Sequence, residues 1–313
     1  MTRARLGQGL RAGWIAAVAL IACLAQPFAA MAQEGPRDWL GRAHLFTNDY
    51  LGDGHDRWRT GSYQFSLLRG HGWEGAAPAD PFALLEYRWR SAIIAAGRVT
   101  RGGVDRPHVG ELSFGLHGHG RIGAADLSLG ADLVALGPQT GLARMQRGFH
   151  DRFGFDGPYG MDIAIDNGVR LQGQIELSRT AALGHRVALR PFAGVAVGVE
   201  DRLTFGADLF LGPLWQGALL VRDQTTGHPI LAIAGPQHGF TFTLGADWTA
   251  VGQSLYLPEG YQAEDSRLRA RAGLHWQISP RASVFYGLSW HEAEFVGQEE
   301  DQILGALRIA LTF

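Results

Sequence analysis

The chain has 313 residues, a length that suits one domain or two. Hydrophobic residues make up 46%, ordinary for a globular chain and too few for a bundle of membrane helices. Charged residues are 19% and the formal net charge is −2. All 28 basic residues are arginine, which leaves no footprint for nucleic acid. One cysteine, Cys23, excludes a disulfide framework and a cysteine-rich zinc site.

The N-terminus reads as an export signal. Arg3, Arg5 and Arg11 form a positive region, Gly13 to Ala22 is apolar, and Ala30-Met31-Ala32 is a small-x-small cleavage site. Residues 1–32 are therefore expected to be a signal peptide and 33–313 the mature domain. A lipoprotein leader is the competing reading, because Leu20-Ile21-Ala22-Cys23 loosely fits a lipobox. Under cleavage after Ala32 the mature chain loses its only cysteine.

The mature chain alternates. Leu268, Ala270, Ala272, Leu274, Trp276 and Ile278 fall on one face, and Arg269, Arg271, Gly273, His275 and Gln277 on the other. Phe240, Phe242, Leu244, Ala246, Trp248 and Ala250 share a face against Thr241, Thr243, Asp247 and Thr249. Leu203 to Leu211 and Ile303 to Phe313 follow the same rule. These segments are longer than the strands of a soluble sandwich and match the nine to eleven tilted residues of a membrane strand. The expected fold is all-β: an antiparallel, up-and-down transmembrane barrel of about twelve strands. Strand starts fall near residues 39, 57, 82, 108, 123, 161, 185, 201, 239, 267, 281 and 302. A terminal Phe313 resembles the ending common among outer-membrane barrels, so the bacterial outer membrane is the expected location.

Between the fifth and sixth strands the period changes. From Gly141 to Gly154 the spacing of Leu142, Met145, Phe149 and Phe153 predicts a short helix. Gln146 and His150, four apart, share one of its faces. The connections Gly212 to Gln237 and Pro258 to Ser266 read as surface loops. His117 and His119 alternate with Leu116 and Gly118 and are expected in a polar lumen. His291-Glu292 lacks the second histidine of a zinc motif and is assigned to a strand end.

Several polar residues exceed what a barrel requires: Asn48-Asp49, Asp56-Arg57 with Thr60, Asp105-Arg106-Pro107, Leu136-Gly137-Pro138, Gln146 with His150, and Gly160 to Asn167. Singly, each has a plain explanation, such as a turn. In this order they resemble the outer-membrane lipid A 3′-O-deacylases (the LpxR type), thinly but over most of the mature chain. The resemblance implies that Asp49 ligates calcium, with Asp156 at the position of an acidic residue after the helix. It implies His150 as the catalytic base, supported by Asn48, Thr60 and Gln146. Departures exist: Trp58 and Arg59 stand where the family has tyrosines, and Met161 and Ala164 replace a Trp and a Gln. The family's site lysine has no counterpart, and Arg98 or Arg101 would replace it only in a different geometry.

The chemistry is coherent. No Gly-x-Ser-x-Gly elbow occurs, and the mature chain offers no thiol, so an activated water is the expected nucleophile. An imidazole takes a proton at neutral pH, and a hard cation polarises an ester carbonyl. Arg57, Arg101 and Arg147 are candidates for the phosphates of lipid A. The expectation is a calcium-dependent, monomeric outer-membrane hydrolase that removes a 3′-linked acyloxyacyl group from the lipid A of lipopolysaccharide. A phospholipase or a deacylase of another position is a second enzymatic reading. A non-catalytic barrel, channel or structural, is the rival class, in which the helix plugs the lumen or stands far from Asp49.

Overall fold

The computed structural model describes residues 35–100, 103–154, 160–279 and 281–311. The leader, Cys23, Arg101, Asp156 and Phe313 lie outside these residues. Pro36–Phe313 forms one compact unit.

Twelve strands close into a barrel. They are β1 (Asp38–Asn48), β2 (Trp58–Gly70), β3 (Leu84–Ala95), β4 (Val109–Ile122), β5 (Ala125–Leu136) and β6 (Gly168–Ser178), then β7 (Val187–Val197), β8 (Glu200–Leu211), β9 (Gly239–Ser254), β10 (Ser266–Ser279), β11 (Ala282–His291) and β12 (Gln302–Leu311). Each pairs antiparallel with the next, and Phe46↔Leu307 to Asn48↔Gly305 joins β1 to β12. Ala181–Gly184 pairs with β7 and prolongs β6. Eleven strand starts lie close to their expected positions. The sixth was expected near 161 and starts at Gly168, because residues 160–167 instead run back along the loop and bridge His108 to Ala164.

The alternation is inside out relative to a soluble protein. Phe240, Phe242, Trp248, Leu268, Leu274, Trp276, Ile278, Phe205, Ile303 and Ile309 are exposed on the outer wall, while Thr241, Thr243, Asp247, Arg271 and His275 are buried inside. Water would penalise this apolar belt, and a lipid hydrocarbon core satisfies it. Among the described residues no helix is long and apolar enough to cross a membrane. This is an outer-membrane barrel.

Up-and-down topology sorts the connections. The described residues of 49–57, 96–108, 137–167, 255–265 and 292–301 gather at one rim, the site rim. Residues 71–83, 123–124 and 212–238 gather at the other, with the start of β1 and the end of β12.

The connection expected as a surface loop at Gly212 to Gln237 is not one. It folds into the barrel as a hairpin, Leu219–Arg222 against Pro229–Ile233. Val221, Ile230, Ala232 and Ile233 pack on Leu45, Leu68, Leu84 and Phe285. Each large side chain so buried contributes about 1.5–3 kcal/mol. The fit is close: a Cβ on Gly41 of β1 would stand 2.1 Å from the Ala232 carbonyl oxygen. Sequence pattern missed this because Leu219 to Ile233 is too short and too interrupted by Thr225, Thr226 and Gly227 to read as a strand pair.

The polar side of the hairpin is tied by charge. Arg222 donates from Nε to Glu176 at 2.7 Å and from Nη1 to Asp208 at 3.1 Å, and Arg271 reaches Asp208 at 2.6 Å. His117 and His119 are in the lumen as expected, against Asp132 at 3.2 Å and Glu86 at 2.7 Å. His291 ends β11, its Nε2 3.0 Å from Ser289 Oγ.

Candidate active site

The helix α1 (Leu142–Phe153) lies against the outside of the barrel wall, at the site rim. Gly110 of β4 permits this approach: a Cβ there would meet Thr140 Oγ1 at 2.3 Å and Leu142 Cβ at 3.4 Å. Leu142 and Gln146 are buried toward the wall, while Met145, Phe149 and Phe153 are exposed outward. The helix is amphipathic in the sense suited to lipid, with Gln146 and His150 turned to the protein. It does not plug the lumen.

Asp56 is the hub. His150 Nε2 stands 3.0 Å from Asp56 Oδ2, with the imidazole 11% exposed. Gln146 Nε2 donates to Asp56 Oδ1 at 3.3 Å, and Thr60 Oγ1 donates to the same oxygen. On its other side the Gln146 Oε1 lies 3.4 Å from the buried His108 Nε2. Residues 160–167 brace that histidine, because His108 N donates to Ile163 O and Ile165 N to His108 O.

Asp49 is the second centre. Its side chain is fully buried in the turn after β1. Oδ2 accepts from Arg57 N at 2.7 Å, and Oδ1 accepts from Tyr50 N at 3.0 Å and lies 3.3 Å from Thr60 Oγ1. Thr60 thus joins Asp49 to the Asp56–His150 pair through one hydroxyl. Burial pushes the Asp49 carboxyl up to about 8, and the Asp56 and Asp53 charges add to the shift against the pull of the backbone donors. Burial also holds the His108 imidazole below its usual value. Asn48 Nδ2 donates to Thr60 O at 2.7 Å, and its Oδ1 accepts from Tyr50 N at 2.9 Å. An amide NH2 has two hydrogens, so one remains for a ligand.

Backbone strain sets this geometry. Trp58 has φ 53°, left-handed for a bulky residue, and the β2–β3 register slips between Trp58 and Gly61. Such a residue costs about 1–3 kcal/mol and persists where packing holds it. Here the indole is buried, donates to Asp105 Oδ2 at 3.0 Å and carries the Arg57 guanidinium 4.3 Å above its ring. The bulge turns Asp56 and Thr60 toward α1. Asp105 and Arg106 are therefore scaffold: Arg106 pairs with Glu294 at 3.0 Å behind the site.

Five of the nine expected site residues, Asn48, Asp49, Thr60, Gln146 and His150, come together. Arg57 contributes its backbone N–H, while its guanidinium is engaged by Glu300 at 2.8 Å and Asp53 at 3.8 Å. Arg147 is on α1 but pairs with Asp162 at 3.2 Å, and Arg98 pairs with Glu299. Arg101 and Asp156 fall outside the described residues. Two residues were not singled out from sequence: Asp56, present in the ordered motif but given no role, and His108, for which no sequence signal existed.

Among the described residues no group of three or more His, Cys, Asp or Glu stands together as a metal cluster. The Asp49 pocket still fits a hard cation. Its carboxylate is buried, crowded by two other acids, and paired with no cationic side chain among the described residues. Calcium draws its remaining ligands from carbonyl and amide oxygens and water, which such a turn supplies.

The class defined here is an outer-membrane barrel with a His–Asp centre on its lipid-facing wall. The fold is that of LpxR from Salmonella typhimurium, with TM-score 0.69 and 18% identity over 87% of this chain and 100% of that chain. The KdgM porin gives TM-score 0.38 at 6% identity over 87% of this chain and 99% of that one. The beta domain of the Bordetella autotransporter BrkA gives 0.39 at 13%, over 87% and 99%. No protein-family profile matches the sequence, and no curated protein matches it.

Proposed function

We propose that the protein is a lipid A deacylase that hydrolyses the 3′-linked acyloxyacyl ester with His150 as general base. The observation that carries this reading is the His150–Asp56 contact at 3.0 Å on the outer wall, where a lipid substrate arrives. The LpxR fold and the ordered site residues support it.

Asp56 orients the imidazole and stabilises the imidazolium that forms, as the carboxylate of a hydrolase triad does. Water bound beside His150 loses a proton to it and attacks the ester carbonyl carbon. The C–O bond to the glucosamine then breaks, and the imidazolium returns the proton to the departing alkoxide. The fatty acid and the free sugar hydroxyl are the products. The remaining Asn48 N–H is suited to the oxyanion. Gln146 and Thr60 hold Asp56, and His108 holds Gln146. Calcium, held by Asp49 and Asp156, would supply Lewis-acid polarisation of the carbonyl. Arg147 and Arg101 are the proposed phosphate contacts. The exposed Met145, Phe149 and Phe153 present an apolar surface to acyl chains.

The test is fatty-acid release from lipid A in mixed micelles, with calcium and with chelator. His150→Ala is expected to lower the rate about 10²–10⁴-fold. Wild-type release that His150→Ala leaves unchanged contradicts the mechanism. Absence of release under any metal condition contradicts the function and favours a non-catalytic barrel.

A further inference from the structure

The lumen beside the hairpin holds a cavity of about 410 Å³ that the proposed chemistry does not use. Its lining runs from Trp73, Trp215 and Arg121 at the rim opposite the site to Arg59, Arg267 and Glu294 toward the site rim. Deeper, Arg88 and Arg190 line its wall. Both are more than nine-tenths buried, at 4% and 7% exposure.

Their guanidiniums are incompletely used. Arg190 donates from Nη2 to Ser178 Oγ at 2.8 Å, while Nε and Nη1 have no partner, and no carboxylate pairs with it among the described residues. Arg88 spends Nε and Nη2 on Glu86, at 2.8 and 2.9 Å, and leaves Nη1 unsatisfied. The Trp215 Nε1 is buried without an acceptor on the same cavity. The neighbouring acid, Glu176, is committed to Arg222 through two hydrogen bonds, at 2.7 and 3.2 Å. Arg190, Arg88 and Trp215 thus present orphan donors, while Glu200 Oε2 and Asp223 Oδ2 on the same lining are orphan acceptors. A buried guanidinium with unsatisfied N–H groups is costly, and an oxyanion accepting several of them removes the cost.

We propose that this cavity is a binding site for a small soluble oxyanion, a phosphate ester or a carboxylate. Arg190 is its principal ligand, with Arg88 and the Trp215 indole as further donors. The 410 Å³ volume admits a ligand of sugar-phosphate size, and Trp73 and Trp215 offer a face for an apolar or sugar ring. The site is separate from the lipid-facing centre, so the two readings stand or fall independently.

The test is titration calorimetry of the full-length folded barrel in detergent at low salt, with inorganic phosphate, glucose 6-phosphate and citrate as separate probes. Saturable binding of at least one probe is expected. Arg190→Gln is expected to weaken it at least tenfold, and Trp215→Phe several-fold. The arm that binds most tightly distinguishes phosphate from carboxylate. Should Arg190→Gln fail to fold, as judged by its gel mobility before and after heating, Trp215→Phe and Arg88→Gln carry the comparison. No saturable heat with any probe overturns the proposal, as does equal binding by wild type and the folded variants.

Discussion

At the scale of single residues, the site depends on two carboxylates in opposite situations. Asp56 sits against His150, Gln146 and Thr60, so its charge is used. Asp56→Asn is expected to keep the barrel folded and lower fatty-acid release about tenfold to a hundredfold, measured under saturating lipid A. Asp49 is buried without a cationic partner among the described residues and is pushed up from 3.8 to about 8. In chelator, the folded Asp49 therefore keeps its proton between about pH 4 and pH 8, while the unfolded one has lost it. The unfolded state then binds fewer protons, so stability falls as pH rises through this window, by about 1.4 kcal/mol per unit, and levels off above it. Denaturant midpoints of wild type and Asp49→Asn across pH 5–9 measure this. The difference between them is expected to grow in favour of Asn up to about pH 8, and a constant difference contradicts it.

At the scale of elements, α1 and the bulged start of β2 make the site by meeting across Gly110. Gly110→Val adds a side chain where Thr140 Oγ1 and Leu142 already stand. It is expected to lift the helix and lower activity at least tenfold while far-ultraviolet circular dichroism still shows a folded barrel. The strands were legible in sequence because outward Phe240, Phe242 and Trp248 alternate with inward Thr241, Thr243 and Asp247 in strict period two. The helix was legible from Leu142, Met145, Phe149 and Phe153, although spacing alone does not say that most of this face turns to lipid. The Asp56–His150 contact was not legible. It joins residues 94 positions apart and depends on Trp58 adopting a left-handed conformation, which no local pattern of bulky residues announces. His108 was hidden for the same reason, since its partner is a helix residue on another loop.

At the scale of the molecule, the barrel separates two surfaces. The outer wall carries the proposed hydrolytic centre, and the lumen carries a hairpin and a dense charge network. Arg222 anchors the hairpin to β6 and β8 through Glu176 and Asp208. Removing it leaves Glu176 unpaired, while Asp208 keeps Arg271, so Arg222→Ala is expected to destabilise the barrel by about 3 kcal/mol, read from urea unfolding in lipid vesicles. The hairpin was read as a surface loop because its buried side is completed only by Leu45, Leu68 and Phe285 from distant strands. The central claim is most directly tested by the mass of lipid A after incubation with the purified barrel and calcium. Wild type is expected to remove one 3′-acyloxyacyl unit, and His150→Ala to leave the mass unchanged. An unchanged mass with wild type, in calcium and at every pH tried, would contradict it.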